Sequence, residues 1–186
     1  MTSVIDQIDR AVTMTAAIVE GIGPDRLAAS TPCEKWDVRT ELNHLVGGMR
    51  IFAAELTGTD AGGAHEDDWL GADPQAAYAT AAGLDRAAWH RPGVLEATVR
   101  LGFGAVPAPM AALIHLTEVL VHGADLAVAT GQEALIDEPA CEELLTVMCG
   151  MDFSAFRRPD MFGPEVPAPA DAPAHRRLLA FLGRPL

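Results

Sequence analysis

The stretch "LIHLTEVLVHGADLA", residues 113–127, is an apolar run that is interrupted by four polar or ionisable side chains: His115, Glu118, His122 and Asp125. The intervals between them are three, four and three residues. On an α-helix these intervals place all four side chains on one face. The stretch therefore predicts a core helix that carries a stripe of groups that are costly to bury, and such groups need partners.

Composition restricts the fold and the kinds of partner. The 186 residues suit one domain with a full core, and 49% hydrophobic against only 5% aromatic residues favours helices packed on helices. The net charge of −13 predicts repulsion from nucleic acid and from anionic membrane surfaces. We find no secretory signal and no run of about 18 uncharged apolar residues that would span a membrane. Three cysteines without C-x-x-C spacing predict a reduced, cytoplasmic protein.

Hydrophobic periodicity predicts an all-α fold, a four-helix bundle with a short extended segment and a C-terminal helix. The predicted helices cover residues 3–21, 38–56, 74–89, 107–131, 138–152 and 174–182. "VLEATVRL", residues 94–101, is predicted to be extended, and "GFG" turns it. "PDMFGPEVPAPADAP", residues 159–173, is predicted to be an extended proline-rich segment. We expect residues 1–157 to form the metal-binding bundle, with residues 158–186 packed on it.

Glu118 and His122 form a pair that suits a metal ion. They stand four residues apart, so their heads can converge on one point of the predicted helix. Neutral imidazole and carboxylate both bind Zn²⁺, Ni²⁺, Mn²⁺ and Fe²⁺. A third ligand has to come from elsewhere, and spacing alone also fits a Glu–His pair that is merely solvated. The candidates for the third ligand are His44, His65, His90, His115 and His175.

His44 is the strongest of these candidates. It lies within the predicted second helix, in "ELNHLVGG", away from the main apolar face. Gly47 and Gly48 follow it, and each destabilises an ordinary helix by about 1 kcal/mol relative to Ala. We therefore expect something to approach the helix closely there. His65 and His175 are predicted to be solvated, whereas His90 ends a helix.

Three longer motifs together resemble a known family. They are "STPCEKWDVRTELNHLVGG" (30–48), "EVLVHGADLAVATGQ" (118–132) and "DAPAHRRLLAFLGRPL" (171–186). In this order they resemble the DinB-like metal-binding four-helix bundles of actinobacteria, and more narrowly the mycothiol-dependent maleylpyruvate isomerase N-terminal domain. The resemblance implies a divalent metal, zinc or another such as Ni²⁺, held by His44, Glu118 and His122. Three protein ligands leave an open coordination position, which is typical of catalytic zinc.

Other residues are candidates for the chemistry around this site. Asp125 could orient His122 or face substrate, and the alternative is an ion pair with an arginine. His115 could move a proton, and the alternative is a hydrogen-bonded core histidine. Arg50 and Arg100 are candidates for binding a carboxylate of the thiol cofactor or substrate. Cys33 is either a reactive thiol or a packing residue.

These observations predict a metal-binding protein that uses a low-molecular-weight thiol, which the resemblance implies to be mycothiol. In the reaction, the thiol would be transferred to a small electrophilic molecule, or it would assist the isomerisation of that molecule. Two alternatives stay open: a non-catalytic metal-binding module, and a metal-dependent hydrolase with Glu41 or His115 as base. The resemblance also implies that two copies can pair through helix faces as a homodimer.

Overall fold

A computed structural model describes residues 2–102, 104–158 and 161–185 of the chain. The described residues contain one small sheet, the antiparallel hairpin of β1 (Thr98–Leu101) and β2 (Gly104–Pro107). The α-helices are α1 (Val4–Glu20), α2 (Val38–Thr57), α3 (Pro74–Trp89), α4 (Ala108–Thr130), α5 (Glu138–Cys149) and α6 (Ala174–Phe181). The predicted all-α fold is thereby confirmed.

The predicted extended segment 94–101 is partly correct. Val94–Glu96 forms a single 3-10 turn, and only Thr98–Leu101 is a strand. Its partner strand, Gly104–Pro107, was not predicted, because its short and proline-ended sequence suggested only a turn and a helix start. Phe103, in the predicted "GFG" turn, lies outside the described residues.

Capping residues account for the helix boundaries. The side chains of Asp37, Asp73 and Asp137 each accept a hydrogen bond from a backbone N–H in the first turn of α2, α3 and α5. Gly131 ends α4 in the left-handed conformation, with φ of 74°. Helix α5 ends at Cys149, three residues before the predicted end, where Gly150 follows as its cap.

Helix α4 is the centre of the molecule. It packs against α1 and α2, α3 closes the bundle against α2 and α1, and α5 and α6 pack on each other and on α4. Gly123 permits the close approach of α1, since a Cβ atom there would lie 2.2 Å from Oγ1 of Thr15. Helix α4 is long and apolar enough to cross a membrane, but 78% of that apolar window is buried inside the protein. The apolar surface of α4 is therefore used mainly for packing inside the bundle.

The two adjacent glycines of α2 have opposite surroundings. A Cβ atom at Gly47 would lie 2.6 Å from Cδ1 and Nε1 of the Trp69 indole, whereas one at Gly48 meets nothing within 4 Å. Trp69 is itself held by a hydrogen bond from its indole N–H to the carbonyl of Ala64. The expected close approach is therefore present at Gly47 and is made by Trp69.

Alanine substitutions at these two positions are expected to change stability in opposite directions. Gly47→Ala should lower the free energy of unfolding by about 1–3 kcal/mol, because the new methyl group displaces the indole. Gly48→Ala should raise it by up to about 1 kcal/mol, because alanine favours the helix and the space is open. Chemical denaturation of both variants measures this difference, and equal effects would contradict the packing of Trp69 on Gly47.

Candidate metal centre

Three side chains from two helices converge at the middle of the bundle. His44 lies on α2, and Glu118 and His122 lie one turn apart on α4. Nε2 of His44 is 2.8 Å from Oε2 of Glu118, and Nε2 of His122 is 3.4 Å from the same oxygen. One ligand atom from each residue lies within 4.8 Å of the others. The structure therefore brings together the three residues that the sequence put forward as ligands.

A second residue of α2 fixes the orientation of His122. Nδ1 of His122 lies 2.5 Å from Oε1 of Glu41, whose side chain is completely buried. A carboxylate at Nδ1 keeps the proton on that nitrogen and leaves Nε2 free to bind a cation. Asp125, which we considered for this role, is 3.6 Å from Nδ1, beyond hydrogen-bond length. Glu41 is thus the acceptor, and its position one turn before His44 on α2 is the signal that could have identified it.

Asp125 is instead paired with an arginine from the C-terminal segment. Its Oδ2 lies 3.3 Å from Nε of Arg184, and both side chains are buried. Sequence reasoning named an arginine partner as an alternative but did not find Arg184, which is 59 residues away. The ion pair therefore ties the segment after α6 to the centre of α4.

The chemistry of this cluster fits a divalent cation. The donors are imidazole nitrogens and carboxylate oxygens, which zinc and its neighbours bind. Among the described contacts of Glu41, Glu118 and Asp125, one guanidinium lies against this group of carboxylates, that of Arg184 beside Asp125, so negative charge remains when the imidazoles are neutral. One buried oxygen of Glu41 and one of Asp125 have no hydrogen-bond partner among the described residues. A divalent cation would balance this charge.

The surroundings shift the pKa values of these groups in different directions. Burial lowers the pKa of His44, which favours the neutral form that binds metals, although Glu118 opposes the shift. Burial also lowers the pKa of His122, but nearby carboxylates outweigh it and hold that pKa well above its usual range. Burial raises the pKa of Glu41 to about 7 against the hydrogen bond with His122. Without a cation, the proton on His122 balances part of the surrounding negative charge.

His115 lies on the same stripe but faces a different partner. Its Nε2 is 2.9 Å from Oδ1 of Asp85 on α3, and both side chains are almost completely buried. The rings of Phe52 and Trp89 lie against the imidazole, with centroids at 4.5 and 5.6 Å. His115 nevertheless lines the cavity that also contains His44. The Asp85–His115 pair was not predicted.

The two candidate arginines have different positions. The Arg50 guanidinium lies over the ring of Trp69, 5.3 Å from its centroid, and is not one of the residues that line the cavities around Glu118. Arg100 is exposed and lines the cavity that His115 and His44 share. Only Arg100 is therefore placed to meet a ligand in that cavity.

Of the remaining histidines, one requires a correction. The prediction that His175 is solvated is wrong: it is 3% exposed and hydrogen-bonded to Glu138, because α6 packs on α5. His65 is exposed, as predicted, but its ring lies 4.6 Å from that of His44 and covers it. His90 ends α3 and its Nε2 is 2.7 Å from a carboxylate oxygen of Asp9, and it is not one of the residues that line the cavities around Glu118.

Three cavities meet at Glu118. One of about 440 Å³ has the most charged side chains in its lining, and we call it the polar cavity; it also contains Cys33, His122 and Arg184. A second of about 230 Å³ contains His44, His115 and Arg100, and a third of about 80 Å³ is apolar. Burial raises the pKa of the Cys33 thiol, against the attraction of Arg184. Cys33 therefore lies beside the cluster mainly in its less reactive protonated form.

Comparison with known proteins agrees with the motifs. The sequence profile described as "Mycothiol maleylpyruvate isomerase N-terminal domain" matches residues 8–127, which contain all three candidate ligands. Two relatives from Mycobacterium tuberculosis, strains CDC 1551 / Oshkosh and ATCC 25618 / H37Rv, carry the description "uncharacterized protein". Each is 33% identical over 176 residues, which cover 94% of this chain and 94% of the relative. No solved structure matches the chain significantly. The resemblance seen in the sequence is confirmed, and the chain belongs to the mycothiol maleylpyruvate isomerase N-terminal domain family.

Proposed function

We propose that this protein is a metal-dependent enzyme that uses a low-molecular-weight thiol, which its family indicates to be mycothiol. The enzyme would either transfer the thiol to a small electrophilic molecule or use the thiol to isomerise that molecule. The observation that supports this most is the position of Glu118, which lies where three cavities meet. A metal that only stabilised the bundle would need no such access. Space for a thiol and for a second reactant on different sides of one cluster favours catalysis over the non-catalytic alternative.

The residues of the cluster have distinct parts in this proposal. His44, Glu118 and His122 would hold the cation, and Glu41 keeps the His122 ring turned toward it. When bound, a divalent cation would supply a Lewis acid with an open coordination position. The ring centroid of Trp36 lies 4.6 Å from that of His44 and 5.3 Å from that of His122. The indole would therefore limit the access of water on that side.

The polar cavity is the side that suits the thiol. Lys35 and Arg184 line it together with Glu34, Glu118 and the two candidate histidine ligands. A carboxylate of the thiol would therefore find a cationic partner there in Lys35. In the reaction the thiol gives up its proton and its sulfur forms a bond to the electrophilic carbon. In a transfer, the electron pair of the broken bond departs with the leaving group. In an isomerisation, the sulfur adds to one carbon of a double bond, and the electron pair of the broken π bond moves to the electron-withdrawing group of the substrate. Elimination of the thiolate then restores the double bond, and the thiolate takes back the proton.

One observation favours the hydrolase alternative. The buried Asp85–His115 pair has the arrangement of a carboxylate that orients a histidine base, and His115 lines a cavity with His44 and Glu118. Such an enzyme would turn over without added thiol. Glu41 suits the role of base less well, because it is buried and bonded to His122.

Titration of the cobalt-substituted protein with thiol tests the proposal. Thiolate binding to Co²⁺ produces an intense near-ultraviolet charge-transfer band. We expect mycothiol, or N-acetylcysteine as a simpler cysteine-derived thiol, to produce this band, because a metal with three protein ligands can exchange its water for a thiolate. Absorbance spectra at increasing thiol concentration measure it.

Two variants make the titration specific. Cys33→Ala should keep the band, which excludes the cavity's own cysteine as the source of the sulfur. Glu118→Ala should lose both the metal and the band. If no thiol changes the cobalt spectrum at millimolar concentration, thiol-dependent chemistry is excluded and the hydrolase becomes the better proposal.

A further inference from the structure

The smallest of the three cavities has an unusual lining. It lies between α4 and the segment that follows α5, and has a volume of about 80 Å³. Three of the six phenylalanines of the chain line it. So do four of the seven methionines, namely Met110, Met148, Met151 and Met161. We call it the methionine pocket.

The methionine pocket offers a ligand almost no polar contact. Of the described residues that line it, only Thr117 and Glu118 are polar. The Thr117 hydroxyl already donates to the carbonyl of Leu113 within α4, at 2.8 Å. The remaining polar group is the carboxylate of Glu118, which belongs to the candidate metal centre. A ligand in this pocket is therefore held by apolar contact and can reach the metal centre only past Glu118.

We propose that the methionine pocket binds the apolar part of the electrophilic substrate and directs its reactive carbon toward Glu118. That the substrate is electrophilic rests on the proposed function, whereas the binding of an apolar group rests on the pocket alone. The volume of about 80 Å³ exceeds the roughly 30 Å³ of one water molecule in the liquid, so it suits a short alkyl chain, and a small apolar ring fits once the flexible methionine side chains move aside.

The methionines also indicate how selective this pocket is. Methionine is unbranched and has three rotatable bonds, so its side chain adapts to ligands of different shape. Met110 and Met161 are each 40% exposed, which leaves them room to move. We infer that the protein accepts a class of small apolar electrophiles defined by hydrophobicity and not by one shape.

Methionine-methyl NMR with toluene as the probe tests the inference. Toluene binds neither metal nor thiol, so the titration is independent of the proposed reaction. In the full-length protein labelled with [methyl-¹³C]methionine, we expect the signals of the four pocket methionines to shift with one common dissociation constant. Met14, in the core, and Met49, which lines the 230 Å³ cavity, should not shift. Ethylbenzene should bind about fourfold more tightly, the effect of one buried methylene.

A matched pair of exposed positions gives the control. Met110→Gln should weaken toluene binding about fourfold, because it makes the lining polar. Val147→Gln, at a residue that is 44% exposed and does not line the pocket, should leave binding unchanged. Shifts confined to Met49 would overturn the inference. So would pocket signals that respond to protein concentration and not to toluene, because they would assign this face to a second copy of the chain.

Discussion

Truncation of His122 to alanine is expected to lower the affinity for metal by at least about 100-fold. Loss of a residue that only orients a ligand typically costs 10–100-fold, so loss of the ligand itself should cost more. Glu41→Gln should fall within that 10–100-fold range, because the described hydrogen bond of Glu41 to the candidate ligands is the one to Nδ1 of His122. Metal titration against a competing chelator, with elemental analysis of the purified variants, measures both effects.

The appropriate control for these variants is His90→Ala. His90 is exposed and pairs with Asp9 at the end of α3, so its loss should leave metal binding unchanged. His175 would be a poor control, because it is buried between α5 and α6 and its loss would destabilise the fold. Circular dichroism verifies that each variant is folded. A folded His122→Ala protein with wild-type metal content would refute the assignment of the centre.

Replacement of Arg184 by methionine is expected to destabilise the metal-free protein by about 3–5 kcal/mol. Removal of one partner of a buried ion pair leaves the other charge uncompensated in a medium of low polarity. Here the remaining charge would be Asp125, which is completely buried and has one oxygen without a hydrogen-bond partner among the described residues. The His122 imidazole, 3.6 Å away, would offset this charge only in part, because it also lies beside Glu41 and Glu118. Urea denaturation in the presence of chelator gives the free energy of unfolding without the contribution of bound metal.

Arg176→Met provides the comparison. Arg176 pairs with Glu133 at 2.8 Å, but its side chain is 47% exposed, so its loss should cost less than about 1 kcal/mol. The double variant Asp125→Asn/Arg184→Met should recover part of the stability, because it removes both buried charges. If Arg184→Met and Arg176→Met proved equally mild, the Arg184–Asp125 pair would not be the contact that anchors the C-terminal segment.

Local sequence was sufficient to predict the helices and to put forward the three side chains that lie together in the cluster. The intervals of three, four and three residues between His115 and Asp125 place side chains on one helix face whatever that face meets, because the helical repeat is a property of the backbone. The capping aspartates determine where α2 and α3 begin for the same local reason. The glycines after His44 pointed correctly to a close contact, although the sequence did not identify Trp69 as its source.

Which neighbours the stripe meets was decided only by tertiary structure. His115 faces Asp85 of α3, and His122 faces Glu41 of α2. Asp125 faces Arg184, which follows α6. The helical repeat determines the direction of a side chain but not the helix packed there, because packing depends on the whole core. The partners of these three residues lie 30 to 81 positions away in the chain. The methionine pocket also depends on tertiary structure, because its lining comes from α4, the end of α5 and the segment after α5. The sequence of one of these segments does not predict that it contacts the others.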